Sequence, residues 1–308
     1  MFDVLEKRGG PYASTSAGMG GLPSVIPDVP VCAVFMALYI AFAATNMTIF
    51  QINRRRGHKF VLSAMMFGFC MARITTLVLR IVWSTRQHNV RLAIAANILV
   101  NAGILIVYIV NLILAQRILR AKQPQLGWNP ILRHGTKALY VLIGGALIMV
   151  ITSTVISVYT LNPTTQNSCR DVLLAAVTYL LVITCLPFLH LLPAVVLPRS
   201  KQEENFGEGK MSTKIIIIAL STCMCVLISG FKAGVNWTPP RPVTEPMWFH
   251  KKAAFYVFNF TLEILILCLL TFSRIDKRFF IPNGSTRPGD YSNLPKQKFE
   301  ESDSAAEP

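Results

Sequence analysis

Arg73 and Arg80 stand seven residues apart within FVLSAMMFGFCMARITTLVLRIVW, and Glu263 sits near the middle of KKAAFYVFNFTLEILILCLLTF. Most of the residues around them are apolar. A guanidinium or carboxylate in such surroundings must find a partner or bring water with it, because burying an isolated ion costs more than a single contact returns. On insertion scales, about eleven Leu, Ile, Phe and Val residues of the first run contribute on the order of −3 to −7 kcal/mol, against on the order of +5 to +7 for two central arginines. Arg80 can lower its share by reaching the interface, whereas Arg73 needs a partner or a water-filled cavity. At 1.5 Å per residue Arg73 lies roughly 15 Å and Glu263 roughly 18 Å below the same surface. The two are expected to form an ion pair, the loss of either side costing about 3–5 kcal/mol.

Other polar residues fall on helical stripes. At 100° per residue, Asn97, Asn101, Tyr108 and Asn111 occupy an arc of about 80°, and Lys252, Tyr256, Asn259 and Glu263 one of about 60°. Cys70, Arg73, Thr76 and Arg80 also share a side. Three such stripes should face one another as a polar core, serving as a ligand pocket, an ion route or a switch network, or simply as interhelical hydrogen bonding. His190 lies in LPFLHLLP between Pro187 and Pro193, whose rings free backbone groups; it is either a proton sensor or a satisfied core histidine.

Catalytic chemistry finds little support. His190 is the one histidine of five inside an apolar run, so a three-histidine zinc site of the seven-span hydrolase type is not expected. No nucleophile with a base and an orienting acid can be assembled from spacing. Cys223 and Cys225 are two apart in an apolar run and do not make a metal motif. The reading is therefore no enzyme, no metal and no cofactor. Cys32 and Cys169 can bridge if both face a lumen. Asn236-Trp-Thr is a weak glycosylation acceptor close to the membrane.

The elements that must position these residues follow from hydropathy. With 53% hydrophobic and 15% charged residues, the chain has too little polar surface for a soluble protein of its length. Apolar runs fall at 29–50, 60–83, 92–114, 138–159, 171–197, 215–231 and 251–272, each near the twenty residues that cross a bilayer. The fold class is thus an all-α integral membrane bundle of seven transmembrane helices. Residues 1–28 form a Gly-, Ser- and Pro-rich tail with no apolar signal-peptide core, which is expected to stay on the mature chain while the first span acts as the insertion signal. Residues 273–308 form a second tail, its distal part expected to be disordered. Seventeen Lys and Arg residues flank the spans on one side and seven on the other, so the N-terminus should lie outside and the C-terminus in the cytoplasm. This placement in loops also assigns the net charge of +15 to a membrane surface rather than to nucleic acid.

Several segments carry a resemblance: RRGHKF from Arg55, FGFCMARITTLVLRIVW from Phe67, NVRLAIAANI from Asn89, NLILAQRILRA from Asn111, FGEGKMSTK from Phe206, PPRP from Pro239, KKAAFYVFNFTLEI from Lys251 and RIDKRFFIPNGSTRPGDYS from Arg274. Together they resemble a fungal family of seven-span membrane proteins of unknown function, often labelled "family C-like G-protein-coupled receptor". The resemblance implies a fungal source and a receptor-like topology, without a ligand. The third span ends in AQRILR rather than Asp-Arg-Tyr, and the seventh lacks Asn-Pro-x-x-Tyr, so rhodopsin-like switch motifs are missing. Signalling or sensing through the polar core is the leading expectation, with an unknown ligand and a cytosolic partner at the basic segments 54–59, 116–137 and 198–214. The alternative is a translocator or exporter of lipid or small solutes, with Arg73 and Arg80 guiding anionic headgroups.

Overall fold

The computed structural model describes residues 10–12, 16–198, 200 and 202–292. Seven helices are long and apolar enough to cross a membrane: Val25–Arg55, Val61–Thr85, Val90–Lys122, Pro130–Tyr159, Pro163–Val196, Met211–Trp237 and Lys252–Phe272. The chain is a multi-pass membrane protein. Among the described residues there is no strand, only an isolated bridge between Ser16 and Pro242. The expected distal tail lies outside the described residues.

Several helices run past the apolar stretches that mark them in the sequence. Hydropathy ends where lipid ends, but a helix starts where its first amides are capped. Asn129 accepts from the Ile131 amide at 2.9 Å ahead of Pro130, and Asn162 accepts from the Thr164 amide at 3.0 Å ahead of Pro163. Each pairs an Asn cap with a proline whose missing N–H costs nothing in the first turn. The fourth and fifth spans consequently begin about two turns before their apolar runs. The sixth continues to Trp237, which puts Lys232 inside the helix rather than at its end. The first begins at Val25, with Ile26 non-helical, and so takes in Asp28, expected in the tail.

Two spans are not regular. The third is interrupted, Val90–Ala102 and Leu105–Lys122 being joined through Gly103 and Ile104. The seventh carries a π-helical turn, Val257–Thr261, between Lys252–Tyr256 and Leu262–Phe272. Both irregularities lie beside charged side chains, as expected where backbone groups at membrane depth are satisfied by protein.

The first span packs on the second and seventh, and the sixth on the fifth and seventh. The third packs on the second, fourth, fifth and sixth, and is the most enclosed. Apolar side chains on the outer faces, among them Val141, Leu192 and Phe272, stay exposed on the isolated chain, as expected of faces turned to lipid.

Candidate functional site

Arg73 and Glu263 meet at the centre of the bundle, both with no exposed side-chain surface. Arg73 Nε donates to Glu263 Oε2 at 2.6 Å and Nη2 donates to Oε1, the bidentate fork that fits a carboxylate. Tyr39 supplies a further donor, its hydroxyl 3.0 Å from Oε2. The guanidinium is also anchored to the third span, Nη1 donating to Leu99 O at 3.1 Å and Val100 O at 3.0 Å. The interruption at Gly103 lets the guanidinium come this close. A Cβ there would stand 3.2 Å from its carbon and Nη1. The Phe69 and Phe260 rings lie with centroids 5.4 and 5.8 Å from the Arg73 guanidinium carbon, completing an aromatic enclosure.

A second charged cluster lies nearer the N-terminal end of the bundle. Asp28, fully buried, accepts from Arg80 Nη2 at 3.1 Å and from the Tyr256 hydroxyl at 2.6 Å through Oδ1. Its Oδ2 accepts from Lys252 Nζ at 2.5 Å and the Ser24 amide at 2.8 Å. Arg80 also donates to Tyr256 Oη at 3.1 Å and Gly20 O at 3.0 Å, and lies 4.1 Å from the Phe255 ring. Arg80 is buried, and Asp28 of the first helix supplies its counter-ion. Gly20, at φ 78°, rests on Phe255, where a Cβ would approach to 2.6 Å. Segment 16–22 is thereby drawn over the bundle.

Beneath that segment is a cavity of about 1110 Å³ opening toward the N-terminal end. The fourth and fifth spans give it apolar walls, including Leu147, Ile151, Leu173 and Val177. The third contributes Asn97, Asn101 and Tyr108, and the sixth Ser229, Lys232 and Asn236. The Tyr108 hydroxyl makes no hydrogen bond of normal geometry. Lys232 Nζ donates to Val100 O at 3.1 Å, the same carbonyl that holds Arg73. One backbone oxygen thus links the cavity wall to the central ion pair.

The other expected residues are placed differently from one another. Asn97 and Asn101 face the cavity rather than the charge pair, the Asn101 amide donating to Asn97 O at 3.1 Å. Asn111 is buried below it, donating to Cys225 Sγ at 3.1 Å. Asn259 donates to Phe255 O at 3.0 Å and faces Met19 Sδ at 3.3 Å. His190 stands apart from the polar centre: its Nδ1 is 2.9 Å from Leu186 O, and it borders a separate recess with residues of the fourth span. Asn236 lies in the last turn of the sixth helix, its amide donating to Lys232 O at 2.7 Å, rather than in a free loop. Cys32 Sγ is 3.2 Å from Tyr256 Oη, and Cys32 and Cys169 are both free thiols.

Asp28, Lys232, Tyr39 and Gly103 also surround the charges, which hydropathy and helical stripes alone do not predict. For Asp28 the available signal was the demand of Arg80 for an anion at the same depth. For Lys232 it was the length of the run through Gly234, Val235 and Trp237, free of helix-stopping proline. Among the described residues no group of three or more His, Cys, Asp or Glu side chains is placed to hold a metal.

Residues 205–280 match the model of a protein family described as Protein of unknown function (DUF3112). The match covers the sixth and seventh spans and so includes Lys232, Tyr256, Asn259 and Glu263. No curated protein and no solved structure matches the chain.

Proposed function

We propose that this membrane protein is a receptor or sensor, not an enzyme, that holds a small molecule in the cavity at its N-terminal end and reports occupancy at the opposite end. The observation that carries the reading is the shared Val100 carbonyl: Lys232 on the cavity wall and Arg73 of the central pair both donate to it. A ligand that draws Lys232 away changes the hold on the interrupted third span, a packed element able to pass a displacement to its far end. There, Arg117 Nη1 donates to Phe279 O at 2.7 Å, joining the third span to the segment after the seventh.

The excess of Lys and Arg flanking the C-terminal end supports a cytoplasmic location for it, with the cavity facing outside. A membrane-impermeant maleimide should then label Thr164→Cys but not Gly57→Cys in intact cells, using a chain whose native cysteines are replaced. Function is tested by proximity labelling from the C-terminal end, wild type beside Val177→Trp, which fills the cavity. Recovery of a signalling protein, such as a heterotrimeric G-protein subunit, whose labelling changes in Val177→Trp is the expected result. A lipid- or solute-uptake defect in cells lacking the protein, with no such partner recovered, would overturn the reading in favour of a translocator.

A further inference from the structure

We infer that the cavity selects an anionic amphiphile, its single acidic headgroup on Lys232 Nζ and its alkyl portion against the fourth and fifth spans. The inference rests on the reading of this cavity as a ligand site. Its basis is the balance of buried charge. Both Glu263 oxygens are engaged, Oε1 by Arg73 and Oε2 by Arg73 and Tyr39. Asp28 is likewise occupied by Arg80, Lys252, Tyr256 and Ser24. Lys232 is thus left without a carboxylate among the described residues, and its protein hydrogen bond goes to the neutral Val100 carbonyl. An ammonium has three donors, and a largely buried one is stabilised by an anion far more than by a carbonyl.

The charged side chains described in the lining carry one sign. Among the described residues it contains Arg170, Lys232, Lys251 and Lys252 but no Asp or Glu. Lys252 is paired with Asp28, so the lining cations with no carboxylate partner among the described residues are Arg170, Lys232 and Lys251; a cationic ligand would be repelled by them, and a neutral one would leave Lys232 uncompensated. Beyond Lys232 the fourth- and fifth-span walls are chiefly apolar, a complement for hydrocarbon rather than for a small inorganic ion. At about 1110 Å³ the space is slightly larger than the roughly 300–1,000 Å³ typical of small-molecule sites, so a chain of many carbons fits.

The test uses the full chain in phosphatidylcholine nanodiscs and a dansylated undecanoic acid as fluorescent probe. The acid should bind at least about tenfold more tightly than its methyl ester, the scale of one charge-assisted contact. Lys232→Met should abolish that preference and Lys232→Arg retain it. The acid-to-ester ratio on the wild-type chain needs no variant, so a misfolded Lys232→Met leaves the measurement decisive. Equal binding of acid and ester, displaced by Val177→Trp, overturns the anion assignment and leaves the ligand-site reading intact. No binding of either probe overturns both. Competition by phosphatidic acid added to the discs would identify a membrane lipid as the source of the headgroup; retention of probe binding in its presence would identify a free amphiphile.

Discussion

Arg73 is held by more than its ion pair, and this changes what its replacement should do. Two of its donor contacts go to carbonyls of the third span, so a glutamate at position 73 would face Leu99 O and Val100 O as well as lose its fork to position 263. Arg73→Met and Glu263→Leu should each lower stability by about 3–5 kcal/mol, because each strands one buried charge. The double variant should recover part of the loss, whereas the Arg73→Glu, Glu263→Arg exchange should not; thermal unfolding of the detergent-purified protein reads all four. A milder charge pair lies past the seventh span. Asp276 is raised by burial, but Arg274, donating at 3.1 and 3.0 Å, and Asn53 outweigh this and hold its carboxyl below the ordinary 3.8. A lowered folded-state value stabilises the fold above the unfolded value and is lost as pH falls through the folded one. Acid unfolding should therefore show a component below about pH 4 that Asp276→Asn removes. The pairing of Arg73 with Glu263 was legible from depth alone, since the chain offers few acidic residues in apolar runs. The partner of Arg80 was not, because Asp28 stands between Pro27 and Pro30 and reads as the end of a tail.

The third span shows where hydropathy stops being informative at the level of an element. Residues 92–114 read as one apolar run, and nothing in their composition separates a continuous helix from the interrupted one. Gly103 was the available signal, yet an isolated glycine in a helical pattern is tolerated often enough to carry little weight. Its role becomes visible only when the guanidinium of another helix is found 3.2 Å from where a Cβ would be. Gly103→Ala should force Arg73 to shift by a few tenths of an ångström and cost about 1–3 kcal/mol, the range for overpacking a filled site. Gly68→Ala, on the neighbouring second span with open space around it, is the control and should be nearly silent in the same thermal assay. The seven helices were readable because each needs a long apolar face for lipid. The π-turn in the seventh was not, for it adds one residue to a turn around the buried Asn259 and Phe260 and leaves the composition unchanged.

Across the whole molecule the cavity and the C-terminal face sit at opposite ends of the same packed helices, and the C-terminal face is closed by a clasp. Glu204 accepts the Gly289 amide at 2.7 Å through Oε1 and the Tyr291 amide at 2.8 Å through Oε2, while its own amide donates to Ala121 O at 2.9 Å at the end of the third span. Tyr291 is buried against Trp128 and Phe206, with ring centroids 5.6 Å from each, and Lys214 donates to Phe206 O. Segment 279–291 therefore packs over Trp128 and Phe206 within segments 116–137 and 198–214, while Arg54, Arg55, Arg56 and Lys59 beside it stay exposed. Two amide bonds to one carboxylate are worth about 1.5–3 kcal/mol each, so Glu204→Ala should release this segment while the spans stay folded. The expected outcome is a loss of hydrogen-exchange protection of roughly tenfold or more at Gly289 and Tyr291, without change in the amides of Val61–Thr85. If the clasp withholds the surface from a signalling protein, Glu204→Ala should also raise labelling of that partner when the cavity is empty. Unchanged protection in Glu204→Ala would show that aromatic packing alone holds the segment, and Tyr291→Ala would then be the variant that opens it.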